Sequence, residues 1–264
     1  MESLMIASCI APTDPVLSNS MIKGRFAQKY ISIGLRDLIS AESAANDGLG
    51  SPFLYIAVYL SKMLPGEAVG RWFLVVICYQ VILSIVIGFV IGYFARKSLR
   101  WAVDKKLIDK EMFLTFAVVL ALFIMGSVSI LGSDELLACF IAGNSFTWDD
   151  WFRTETQDSH FQEIIDVLLN LSIFIYIGAI MPWSLFNNSE LGLSYWRLFV
   201  ISILILLFRR LPIVLMLMKN IPPLKNYREG LYAGWFGPIG IGAVFYAALA
   251  KQDGSENVQK LVTP

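Results

Sequence analysis

Apolar residues run through this chain in long blocks, separated by short polar loops, rather than alternating or recurring as a single helical stripe. A membrane-crossing helix needs about 20 mainly apolar residues. By that measure the chain predicts seven or eight membrane segments, at about residues 4–22, 35–60, 72–94, 112–131, 135–146, 164–182, 195–218 and 230–250. The first is interrupted by Pro12 and Pro15. The second is polar for a span, and the fifth is short enough to be tilted or re-entrant. The expected fold class is all-α, a polytopic transmembrane helix bundle. Residues 1–250 form its membrane domain, and residues 251–264 form a polar C-terminal segment.

Composition agrees with the pattern. Of the 264 residues 56% are hydrophobic and 16% charged, and the mean hydropathy is +0.64. A soluble domain is nearer a quarter charged. Lysine plus arginine and aspartate plus glutamate both number 21, which gives no reason to expect a nucleic-acid partner. Cys9, Cys78 and Cys139 are widely spaced in apolar stretches, so they read as buried small hydrophobes, not as disulfide or zinc partners. The amino terminus has neither a basic region nor a cleavage site and does not read as a secretory signal.

Charge also sets orientation. Lys23, Arg25, Lys29 and Arg36 follow the first segment; Arg96, Lys97, Arg100, Lys105, Lys106 and Lys110 follow the third; Lys219, Lys225 and Arg228 precede the last. One crossing per segment puts these loops on one side, the cytoplasmic one. The sequon Asn187-Asn188-Ser189 then falls outside.

Ionisable groups inside membrane segments are the informative ones, because each costs about 2.5–3.5 kcal/mol at the bilayer centre on insertion scales. Three places carry that cost. In Ala11-Pro12-Thr13-Asp14-Pro15 the prolines free carbonyls beside a carboxylate, an oxygen cluster suited to a hard cation. Asp14 as the cap of a helix is an equal alternative. In Glu42-Ser43-Ala44-Ala45-Asn46-Asp47-Gly48, Ser43 and Asp47 share one helical face and Glu42 and Asn46 another. The run continues directly into residues 53–60, which favours an intramembrane site. In Phe208-Arg209-Arg210-Leu211-Pro212 two arginines interrupt an apolar run. A buried arginine needs a carboxylate, and Glu42 is a natural partner.

Weaker signals take plainer readings. Asp134 and Glu135 open a short helix and read as caps. Asp149 and Asp150 beside Trp148 and Trp151 suit an interfacial aromatic belt. His160 reads as a solvated loop histidine. Gly234, Gly237, Gly240, Gly242 and Pro238 suit close helix packing, with a kinked helix beside the site as the functional alternative.

The string CIAPTDPVLSNSMIKGRFAQKYISIGLRDLISAESAANDGLGSPFLYIAVYL resembles the fungal plasma-membrane Na⁺/H⁺ antiporters, within the wider monovalent cation/proton antiporter superfamily. SDELLACFIAGNSFTWDDWF, FRRLPIVLM and EGLYAGWFGPIGIGAVFYA resemble them too, so the likeness covers essentially the whole chain. It implies an inverted-repeat bundle in which two broken helices cross near the ion site. Thr13-Asp14-Pro15 would be an unwound crossing. Asp47, after Asn46, would bind the cation or the proton, with Ser43 and Thr13 as further Na⁺ ligands beside Asp14. Glu42 would pair with Arg209 or Arg210.

The implied activity is secondary transport, exchange of Na⁺, Li⁺ or K⁺ for H⁺, with no enzyme chemistry and no cofactor beyond the transported ions. The implied partners are monovalent cations, protons, the lipid bilayer and, at full length, a second copy of the chain; the implied location is the plasma membrane. Against the family pattern the first helices and at least one helix after Lys251 are expected to be missing. An alternative is therefore a truncated, non-transporting membrane fragment. An intramembrane aspartic protease built on Asp14 and Asp47 fits less well, because such a pair needs no freed carbonyls.

Overall fold

The computed structural model describes residues 2–156, 159, 161–188 and 192–253. His160 and Ser189 of the sequon lie outside the described residues, as do residues 254–264 of the polar C-terminal segment. In chain order the helices are α1 (Glu2–Ile10), α2 (Pro15–Ile22), α3 (Arg25–Tyr30), α4 (Ile33–Lys62) and α5 (Pro65–Arg71). A π-helical stretch, Trp72–Val81, leads into α6 (Ile82–Asp104). Then come α7 (Lys110–Ile130), α8 (Glu135–Phe146), α9 (Trp151–Thr156), α10 (Phe161–Ile180), α11 (Tyr195–Phe208), α12 (Leu211–Leu217), α13 (Tyr227–Trp235) and α14 (Ile241–Asp253). The described residues are all-α, without strand. Three helical runs, Pro65–Asp104, Lys110–Ile130 and Tyr195–Asn220, are long and apolar enough to cross a membrane.

The chain divides into two compact units. One comprises residues 47–169. Its centre is α6 packed along α8, with α7 against both. Gly88 and Gly92 make that approach possible: a Cβ on either would collide with the backbone carbonyl of Ala138 or Ala142. Ile124, Val128, Ala138 and Ala142 form the buried seam. Toward the basic end Phe146, Phe152 and Leu99 close the core against Phe113 and Phe116. Arg96 and Arg100 both face Asp149 there, at 3.9 and 2.9 Å. Pro52 inside α4 leaves the Gly48 carbonyl without its usual backbone donor, and its own carbonyl accepts from the Trp72 indole at 2.8 Å.

The other unit comprises residues 2–46 and 170–253 among those described. Its apolar core joins Ile22, Ala27, Ile31, Leu35 and Ile39 to Leu224 and Ala233. α13 starts at a capping box, in which Asn226 and Glu229 satisfy each other's exposed backbone N–H groups. α12 packs on α13, and α1 on α14. No residue of α11 is buried. An apolar helix left this exposed matches hydrocarbon or a further helix, not water.

Three expected segments differ from the pattern. The run expected at 72–94 extends from Pro65 to Asp104; Pro65 suits a helix's first turn, and no proline interrupts residues 66–104. The span expected at 195–218 stops at Phe208 and restarts at Leu211, since Pro212 has no N–H to donate to the Phe208 carbonyl and its ring crowds it, while proline suits the first turn of the new helix. The span expected at 230–250 is two helices with an unwound stretch at 236–240, where Gly237, Pro238 and Gly240 are all poor helix formers. Cys78, expected to be buried, is exposed, whereas Cys9 is buried.

Candidate functional site: a crossing of two broken helices

The site belongs to the unit of residues 2–46 and 170–253. Four helix ends converge there: α1 ends at Ile10, α2 begins at Pro15, α13 ends at Trp235, and α14 begins at Ile241. Each end leaves backbone groups unpaired and carries about half a unit of charge, positive at N-termini and negative at C-termini. In a membrane those groups need partners from within the protein.

Asp14 serves both positive ends. Its Oδ1 accepts from the Leu17 N–H at 2.9 Å, capping α2, and its Oδ2 accepts from the Ile241 N–H at 3.2 Å, at the start of α14. Its backbone N–H donates to the Pro238 carbonyl at 3.0 Å, tying the two unwound stretches together. The carboxylate is buried, at 6% exposure. Gly240 is obligatory beside it: a Cβ there would land on the Asp14 carboxylate.

Arg209 serves the negative ends. Its guanidinium donates to the Ile10 carbonyl at 2.6 Å and to the Gly237 carbonyl. One carboxylate and one guanidinium thus neutralise four helix ends. Next to it, Arg210 makes a two-pronged contact with Glu42 and donates through Nε to the Ala233 carbonyl at 2.8 Å. Fork-to-carboxylate pairing fixes geometry as well as charge. A recess of about 330 Å³ opens beside this point, with Arg209, Arg210, Phe236 and Gly237 in its wall.

The remaining polar groups gather on α4 and at Thr13. Thr13 and Ser43 are buried, at 2% and 1% exposure. The Asn46 amide donates to Thr13 Oγ1 at 3.2 Å. Ser43 donates its hydroxyl proton back to the Ile39 carbonyl at 2.5 Å, which leaves the oxygen's lone pairs as acceptors. Asp47 follows Asn46 on α4 and is half-buried, but it belongs to the unit of residues 47–169.

Of the expected site residues, then, Thr13, Asp14, Glu42, Ser43, Asn46, Arg209 and Arg210 fall in one unit and Asp47 in the other. Glu42 pairs with Arg210, and Arg209 works on backbone carbonyls. Asp14 has the geometry of a double cap. Sequence reasoning offered a kinked helix at this stretch only as the alternative to close packing, and did not identify residues 236–240 as the second arm of the crossing. The signal was present in Gly237-Pro238-Ile239-Gly240, which places two helix-weak glycines around a proline.

Long apolar helices beside broken ones whose ends are compensated by side chains mark an integral membrane protein. The chain belongs to the transmembrane sodium/hydrogen exchanger family, whose model matches residues 1–261. It is 46% identical over 255 residues to a probable Na⁺/H⁺ antiporter of Schizosaccharomyces pombe, covering 96% of this chain and 34% of that protein. It is 47% identical over 252 residues to a Na⁺/H⁺ antiporter of Saccharomyces cerevisiae, covering 94% of this chain and 25% of that one. To Na⁺/H⁺ antiporter 2 of Zygosaccharomyces rouxii it is 43% identical over 265 residues, covering 99% and 32%. The chain therefore spans a quarter to a third of the length of these relatives.

Proposed function

We propose that this chain carries the exchange site of a monovalent cation/proton antiporter of the plasma membrane, with Asp47 as the carboxylate that binds cation and proton in turn. The observation that carries the reading is the crossing itself, whose four helix ends are neutralised by Asp14 and Arg209. Asn46, bonded to Thr13 at that crossing, immediately precedes Asp47 in the sequence.

The chemistry follows from ligand type. Na⁺, like other hard cations, is held by oxygen atoms. Thr13, Ser43, the Asn46 side-chain carbonyl and Asp47 supply them. Asp14 spends its charge on the ends of α2 and α14, so its role is electrostatic before it is coordinating. In this reading Asp47 is the carboxylate that takes Na⁺ or H⁺ in turn. Binding either Na⁺ or H⁺ there makes exchange obligatory, and access alternates as one group of helices moves against another. At full length the protein would act as a homodimer.

The likeness to proteins named antiporters supports the class of activity, and lithium or potassium fits the same oxygen set. The length covered motivates a second reading, in which the chain holds the site but transports only within a longer polypeptide. Binding separates site from transport. Purified chain should bind ²²Na⁺ in competition with protons, and Asp47→Asn should remove that binding. Unchanged binding in the variant would withdraw Asp47 from the site.

A further inference from the structure

A second polar cluster, with buried serines around a half-buried Asp134, lies in the unit of residues 47–169, and the crossing does not use it. Ser51 Oγ donates to Asp134 Oδ2, while Asp134 Oδ1 accepts from the Leu137 N–H at 2.9 Å and caps α8. Ser133 and Ser84 are bonded to each other at 2.8 Å beside it, and Ser133 donates on to the Gln80 carbonyl at 2.9 Å. Ser51, Ser84 and Ser133 are 7%, 0% and 5% exposed. Capping alone needs one carboxylate oxygen; here the second is held by a serine from another helix.

That serine is four residues beyond Asp47 on α4, so the two side chains share a face, with Cβ atoms about 5–6 Å apart. Taking Arg96 as the basic edge of the hydrocarbon layer, chain geometry puts the cluster inside that layer. Ser84 is twelve residues along α6 from Arg96, which faces Asp149 at the basic end. At 1.5 Å per residue that is about 18 Å of a hydrocarbon layer about 30 Å thick. Asp134 is thus sunk on the order of 10 Å below the opposite face, with Asp47 about 6 Å deeper along α4.

We propose that Ser51 and Asp134 form the proton path between Asp47 and the face opposite the basic loops. The step balances. The Asp47 carboxyl gives its proton to Ser51 Oγ as the Ser51 hydroxyl proton passes to the Asp134 carboxylate. Asp47 becomes a carboxylate able to take Na⁺, Ser51 is restored as a hydroxyl, and Asp134 releases the proton outward. Among the described residues, Glu135 and Cys139 share α8 with the Asp134 cap, and the Tyr79 hydroxyl is committed to the Leu131 carbonyl at 2.7 Å. α4 offers Asp47 and Ser51, and α6 offers the neutral Ser84.

The proposal rests on Asp47 being the exchanging carboxylate, and the test keeps the two claims apart. Asp134→Asn preserves the cap, since asparagine caps helices as well as aspartate does, but removes the proton acceptor. The polypeptide extended at both ends to the length of its relatives is reconstituted in liposomes. Two fluxes are read: Na⁺-driven H⁺ movement, and ²²Na⁺ self-exchange at equal pH, which moves no net proton. Asp134→Asn should slow the first at least about tenfold and leave the second within about twofold. Ser51→Ala should act in the same direction.

A fall in both fluxes together, or in neither, overturns the relay. Asp47→Asn should stop both; fluxes that survive it defeat the Asp47 reading whatever Asp134 does. A second readout needs no turnover. Dicyclohexylcarbodiimide modifies carboxyls that take up protons in apolar surroundings. In the purified 264-residue chain the Asp134 peptide should be modified at acidic pH, and an unmodified Asp134 contradicts the proposal.

Discussion

Removing one charge from the Glu42–Arg210 pair should weaken the fold more than it weakens ion binding. Breaking a buried ion pair from one side costs about 3–5 kcal/mol, because the remaining charge is stranded. The Arg210 side chain is 13% exposed and that of Glu42 34%, so solvent screens part of that cost. The stranded guanidinium keeps its bond to the Ala233 carbonyl. We therefore expect Glu42→Gln to cost about 2–3 kcal/mol. At about 2–4 °C per kcal/mol for a chain of this size, the Tm should fall by roughly 4–12 °C. The assay is thermal unfolding of detergent-purified protein beside a ²²Na⁺ competition curve. Glu42→Gln combined with Arg210→Gln should cost less than the two single changes added together, since neither charge is then stranded. A Tm shift below about 2 °C with a tenfold or greater loss of apparent Na⁺ affinity would refute the reasoning and make Glu42 a ligand.

Gly240→Ala should disrupt the crossing, because its Cβ meets the Asp14 carboxylate; Gly66→Ala, where nothing lies within 4 Å, is the matched control, and equal melting curves for the two would contradict the packing described. Gly92→Ala should push α6 from α8 and lower the Tm, whereas Gly126→Ala, in open space, should leave it unchanged or raise it. Asp14→Asn should cost about 1–3 kcal/mol, since one of two capped N–H groups loses its acceptor; a Tm equal to wild type would argue that only one of the two contacts carries weight. The 264-residue chain by itself should show no sodium-dependent pH change in liposomes, while the version extended at both ends should; a response from the short chain that Asp47→Asn removes would show the extension to be dispensable.

Much of the architecture was legible because membrane helices announce themselves by length and apolarity. Lys110–Ile130 needed only that signal. The break at Pro12-Thr13-Asp14-Pro15 was legible because two prolines flank a charge. The break at 236–240 was not, because its residues are small and apolar and read equally well as a packing face. Pairing was partly legible: a carboxylate and two arginines inside apolar runs must find each other, but adjacent arginines point about 100° apart on a helix, so only the fold chooses between Arg209 and Arg210. The second oxygen of Asp134 illustrates the remaining gap. Its position before Glu135 indicates a cap, but the partner, Ser51, is 83 residues away, and local pattern carries no trace of such a contact.

The central claim is that one carboxylate, Asp47, is shared by cation and proton. Its most direct test is sodium-driven pH change in liposomes containing the extended polypeptide, wild type beside Asp47→Asn, with internal pH followed after a sodium gradient is imposed. The account predicts a rapid change in wild type that reverses with the gradient, and none in Asp47→Asn protein that still melts within a few degrees of wild type. Undiminished exchange by folded Asp47→Asn protein would contradict it.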